Sequence, residues 1–159
     1  MKSKKKTNAA RILDRLKIPY EFREYKVDEE DLSAVHVANT MGVPIEQLYK
    51  TIVCRADKTG IIMAVIAGDA TLDLKALAAA SGNKNAETVH LKELFDLTGY
   101  VRGGCSPLGA KKNYPVFVDK KAALQEYIAV SAGIRGGQLW LKPDDLIAAT
   151  KGTYAKITR

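Results

Sequence analysis

Apolar positions along the chain follow two rhythms. Ala9, Ile12, Leu13 and Leu16 recur at helical spacing, which predicts a first helix that Thr7 or Asn8 caps and Pro19 ends. Residues 20–27 alternate and read as a strand. Residues 32–43 return to a helical pattern closed by Gly42, and Pro44 opens a short helix that runs to Tyr49. Two strands follow, 50–56 and 61–67, joined by a turn at Asp57–Gly60. The second is an unbroken apolar run, the mark of a central strand covered on both faces.

The next segments predict helices at 72–82, stopped by Gly82, and at 91–99, with Gly99 at its end. Strands are expected at 114–119, 126–133 and 138–142, a helix opened by Pro143, and a closing strand in TYAKIT. Helices and strands mix without strict βαβ alternation. The expected fold class is α/β of the α+β type: one domain with a mixed, barrel-like sheet flanked by helices. Its expected span is 7–159, after a lysine-rich arm at 1–6.

Composition narrows the partners more than the fold. The 159 residues are 47% hydrophobic and 27% charged, an ordinary globular balance. Lys and Arg number 25 against 18 Asp and Glu, a net charge of +7 that suits an anionic partner such as nucleic acid. The two cysteines, Cys54 and Cys105, are too few for a disulfide scaffold and belong to no CxxC or Cys/His cluster. His36 and His90 stand in no ligand motif, so neither a metal nor an organic cofactor is expected. The basic start lacks the apolar stretch of a signal peptide, and no apolar run approaches a membrane span. The chain is expected to be soluble and cytoplasmic.

The candidate chemistry gathers in GYVRGGCSPLGAKK, residues 99–112. It is neither a Walker loop, which needs GxxxxGK[ST] before a helix, nor a GxSxG elbow. Two readings stand: a pair of tight turns, or a backbone wall that lets a ligand lie close because glycine carries no side chain. Cys105 has no histidine near it in sequence to activate it, and a packed thiol is the simpler reading. Lys50, at the head of its strand, is either a solvated edge lysine or a positive group at a pocket mouth. SAGIRGGQ, 131–138, is a second glycine-rich turn that could face the first across a pocket.

LYKTIV, LDLKALA, TGYVRGGCSPLGAKK, YPVFVD and VSAGIRGG, in that order, resemble the YbaK/EbsC family over nearly the whole chain. TGYxxGGxSPLGxKK is the most specific of these runs. The family comprises aminoacyl-tRNA deacylases related to the editing domain inserted in bacterial prolyl-tRNA synthetase. The resemblance implies hydrolysis of a mischarged aminoacyl ester on tRNA, foremost Cys-tRNA(Pro), in which the substrate's own thiol attacks its ester carbonyl. It implies catalytic roles for Lys50, Gly103 and Gly104, and substrate contacts at Tyr25, Thr51, Ser106, Pro107, Leu108, Gly109, Ser131 and Gly133. It implies the acceptor end of aminoacyl-tRNA as partner, and a prolyl-tRNA synthetase as a candidate second partner.

The chain departs from the family at Lys26-Val27-Asp28, at Leu32-Ser33 and at Gln138. These positions bear on which amino acid is cleared, and alanine stands as an alternative substrate. Two other readings are a tRNA- or synthetase-binding module without turnover and a thiol hydrolase built on Cys105.

Overall fold

The computed structural model describes residues 6–159, so of the expected arm at 1–6 only Lys6 falls within it, paired with Asp14. Eight strands and five α-helices follow the order α1 (Asn8–Arg15), β1 (Glu21–Glu24), α2 (Ala34–Met41), β2 (Tyr49–Ala56), β3 (Gly60–Ala67), α3 (Leu74–Ala80), β4 (Ala86–Thr88), α4 (Leu94–Thr98), β5 (Val116–Asp119), β6 (Ile128–Ser131), β7 (Gly137–Leu141), α5 (Pro143–Thr150) and β8 (Thr153–Ala155) among the described residues. The caps are those the sequence chemistry favours. Thr7, Ser33 and Asp73 accept hydrogen bonds from the first-turn amides of α1, α2 and α3, and Gly42 and Gly99 end α2 and α4 in the left-handed conformation.

The strands form two sheets, β1-β7-β6 and β4-β2-β3-β5-β8. They meet through a parallel bridge between Leu48 and Ala129 and do not close into one barrel. β2 and β3 pair antiparallel over their full length, whereas β5 runs parallel to both β3 and β8.

β3 is covered on both faces, which is why its sequence never alternates. Met63 and Val65 face the main core with Leu139, Leu141, Ile128 and Val130 of the smaller sheet and Leu13 of α1. Ile62, Ala64 and Ile66 face a second core with Leu72, Leu77 and Ile157. Charge placed at any of these five positions would be buried without a partner.

The two glycine-rich turns pack directly on one another. A Cβ at Gly104 would lie 3.1 Å from the Ile134 carbonyl carbon and 3.2 Å from the Arg135 amide nitrogen. Arg135 Nε donates to the Arg102 carbonyl at 2.8 Å and closes the contact. Tyr100 is the peg beneath it. Its buried ring lies where a Gly133 side chain would be, with Cε1 2.9 Å from the Cβ position. Its hydroxyl donates to the Leu108 carbonyl and sits 2.7 Å from the Cβ position of Gly109. Both glycines have positive φ, +99° and +79°.

Gly109→Ala and Gly133→Ala are each expected to cost about 3 kcal/mol, from the left-handed backbone together with the clash on Tyr100. Gly82 has φ +78° with nothing within 4 Å of its Cβ position, so Gly82→Ala is expected to cost about 1 kcal/mol. Urea denaturation of the three variants checks this, and three equal losses would contradict the role given to Tyr100.

Candidate active-site cleft

One cleft of about 340 Å³ opens where the two sheets, α2 and the first glycine loop converge. Lys50 and Thr51 enter it from the start of β2, just past the Leu48–Ala129 bridge. Tyr25 enters from the end of β1, Ser131 from the end of β6, and Gly103 from the glycine loop. Leu32, Val35 and Val37 supply an apolar side, and Arg102 a charged rim.

Lys50 Nζ donates to the Gly68 carbonyl at 3.0 Å. That bond holds an ammonium with two further donor positions at the cleft wall. Gly68 tolerates no side chain, because its Cβ would come within 2.7 Å of Ile45 Cδ1 and 2.8 Å of Ala34 Cβ. The carbonyl that seats Lys50 is therefore fixed by close packing against the start of α2 and the 3₁₀ turn at Ile45–Gln47.

The two expected catalytic glycines separate in space. Gly103, φ +84°, lines the cleft, and its N–H makes no hydrogen bond within the described residues. Gly104 is buried, and its N–H donates to the Val101 carbonyl at 2.9 Å. Its amide is spent inside the turn and is not a free donor, unlike that of Gly103. Its place in the loop is the close approach to Ile134 and Arg135.

The expected substrate-contact residues divide likewise. Tyr25, Thr51 and Ser131 line the cleft, whereas Pro107, Leu108 and Gly109 line a different cavity, against Ile12 and Leu16 of the first helical segment. Ser106 is fully buried, and its hydroxyl accepts from the Leu108 amide at 3.2 Å. Gly133 donates to Ser131 Oγ at 3.1 Å and rests on Tyr100. Ser106 to Gly109 and Gly133 thus stand behind the cleft wall and shape it.

Gln138, marked in the sequence as a departure bearing on the amino acid cleared, also lines the cleft. It is buried at 5% exposure, and its Oε1 has no hydrogen-bond partner, as is also true of Thr51 Oγ1. Both oxygens are closed off from solvent, so each is an unpaired group carried inside the cleft wall at a cost that a side-chain rotation toward the cleft would relieve. The signal for Gln138 in sequence was its place just after the second glycine turn, at the start of a strand.

Cys105 also lines the cleft. Burial pushes its thiol up to about 12, so the thiolate form needed for attack is scarce at neutral pH. Among the described residues no group of three His, Cys, Asp or Glu side chains could hold a metal, and no helix is long and apolar enough to cross a membrane.

The profile of the aminoacyl-tRNA editing domain matches residues 28–149, a span that contains almost the entire cleft. A relative from Enterococcus faecalis, named "Putative Cys-tRNA(Pro)/Cys-tRNA(Cys) deacylase EbsC", is 46% identical over 157 residues, covering 99% of this chain and 96% of that protein. The solved structure of "hypothetical protein APE2540" superimposes with a TM-score of 0.87 at 20% identity, covering 96% of this chain and 100% of the other. That of "a putative trans-editing enzyme for prolyl tRNA synthetase" does so with a TM-score of 0.79 at 21% identity, covering 88% of this chain and 87% of the other. These two structures share the fold, while the profile and the sequence relative fix the kinship: the chain belongs to the aminoacyl-tRNA editing domain family.

Proposed function

We propose that the protein is a freestanding editing hydrolase that clears a mischarged amino acid from tRNA, with Cys-tRNA(Pro) as its foremost substrate. The observation that carries this reading is a cleft that pairs a seated ammonium, Lys50, and a free backbone N–H, Gly103, with no activated nucleophile. The one thiol in its wall is held protonated by burial. Full-length kinship to a protein named as a Cys-tRNA deacylase supports the substrate class.

The chemistry follows from what the cleft offers and lacks. The substrate's cysteine sulfur attacks its own ester carbonyl carbon. A C–S bond forms, the C–O bond to the ribose breaks, and the thiol proton passes to the departing ribose oxygen. Water then opens the small cyclic thioester to free cysteine. In this reading Lys50 and the Gly103 N–H receive the negative charge that builds on the carbonyl oxygen. The fixed wall holds sulfur and carbonyl within reach. The partner is the acceptor end of the aminoacyl-tRNA, and a prolyl-tRNA synthetase that presents it is a second, separate partner.

An editor of alanine is the second reading. The departures from the family pattern motivate it, because Leu32, Ser33 and Gln138 all line the cleft. Hydrolysis of Cys-tRNA(Pro) beside Ala-tRNA(Pro) separates the two. The account expects turnover of the cysteine ester. Turnover of the alanine ester alone would contradict the substrate-thiol route.

Lys50→Ala is expected to lower kcat for the preferred ester roughly 100- to 1,000-fold, the usual effect of removing one transition-state donor, with the thermal midpoint little changed. Cys105→Ser is expected to retain most activity. Iodoacetamide near pH 8 is expected to modify Cys105 roughly a thousandfold more slowly than an unperturbed cysteine, as measured by mass spectrometry. A folded but inactive Cys105→Ser variant would overturn the assignment of the nucleophile to the substrate.

A further inference from the structure

The outer end of the smaller sheet carries an aromatic cluster that the cleft chemistry does not use. Tyr127 and Trp140 stack with ring centroids 5.8 Å apart and planes 15° apart. The guanidinium carbon of Arg23 lies 4.3 Å from the Trp140 ring centroid. A groove of about 410 Å³ opens beside them, with Tyr20 and Lys142 among its walls. That volume suits a planar ring system of nucleobase size. The one carboxylate in the groove wall, Glu21, is paired with Arg23.

The register joins this groove to the cleft. Gln138 and Trp140 are two residues apart on β7, so they share a face of the sheet about 7 Å apart along the strand. Their partners on β6, Ser131 and Ala129, continue the same two rows. One row ends in the cleft and the next holds the aromatic stack. A strand of RNA whose terminal ribose sits in the cleft would reach the stack within a short step of its backbone.

The geometry points to a stacking platform: Arg23, Tyr127 and Trp140 hold unpaired nucleobases of the RNA that leads into the cleft, with Lys142 beside the backbone. Aromatic faces and a guanidinium are the groups that bind single-stranded bases without reading sequence, and the net charge of +7 favours the phosphates. This inference rests on the editing reading for the identity of the RNA, namely the 3′ end of a tRNA. The platform reads single-strandedness and position, so it selects an acceptor end and leaves the choice among tRNAs to other contacts.

Trp140 is the only tryptophan in the chain, so its fluorescence reports on the platform directly. The test titrates it with a short unacylated single-stranded RNA and with a blunt RNA duplex of equal length. The single strand is expected to quench the emission and the duplex to do so far less. Tyr127→Ala and Arg23→Gln are each expected to weaken single-strand binding roughly 5- to 100-fold, the span of one lost base stack. Trp140→Phe, followed by anisotropy of labelled RNA, keeps an aromatic ring on the core and is expected to bind less weakly than Trp140→Ala. Absence of quenching, wild-type binding by the folded variants, or equal binding of the duplex would each overturn the platform, as would quenching by a proline-rich peptide in place of RNA. The readout needs no ester. Ester hydrolysis without quenching therefore sinks the platform alone, and quenching without hydrolysis sinks the editing reaction and leaves the platform standing.

Discussion

The ring of Tyr100 sets the distance between two loops that would otherwise have no fixed relation. It fills the space that side chains at Gly109 and Gly133 would need, and its hydroxyl ties down the Leu108 carbonyl. With that peg in place, Gly104 presses against Ile134 and Arg135, and Gly103 lines the cleft. Removing water from the phenol also pushes Tyr100 up to about 12, which keeps it a donor throughout the physiological range. The glycine-loop side of the cleft is thus backbone held in place by the buried Tyr100 ring and the Arg135 guanidinium. A reaction that depends on positioning needs that stiffness more than it needs reactive groups.

The electrostatics of the cleft agree with this division of labour. It is lined by a cation and by a glycine whose amide is unpaired, its wall buries two unpaired neutral oxygens, and the thiol there stays protonated. Such a set can hold an ester and receive oxyanion charge but has nothing with which to attack. The reactive group must then come from the bound molecule or from water.

Much of the architecture was legible in the sequence because local chemistry and tertiary packing agree there. The capped helices α1 to α3 and the β2–β3 pair lie where periodicity, Gly42, Pro19 and the unbroken run 61–67 place them. Disagreement arose where tertiary pairing decides. β4 is three polar-flanked residues, Ala86–Thr88, that extend only because β2 offers an edge. The segment 126–133 was expected to be all strand, but Gly133 takes φ +99° over Tyr100 and β6 ends at Ser131. The 3₁₀ turn at Lys120–Leu124 carried no helical period to detect. The glycine spacing marked a loop that lines the cleft, yet nothing in it distinguished Gly103, which is among the lining residues, from Gly104, whose amide is consumed by Val101. That distinction is a matter of turn geometry. Gln138 was marked only as a departure bearing on the amino acid; that its oxygen is unpaired is a property of the fold, and a sequence does not display its unpaired atoms.

The central claim, that the cleft supplies position and charge while the substrate supplies the nucleophile, is tested most directly by comparing matched cysteinyl and seryl esters of one tRNA. The two differ by a single sulfur-to-oxygen exchange and fit the same space. The account predicts rapid hydrolysis of the cysteinyl ester and turnover of the seryl ester at least about 100-fold slower, because a hydroxyl is a far weaker nucleophile than a thiol at neutral pH. Equal turnover of the two esters would contradict it and place the attacking group in the protein or in bound water.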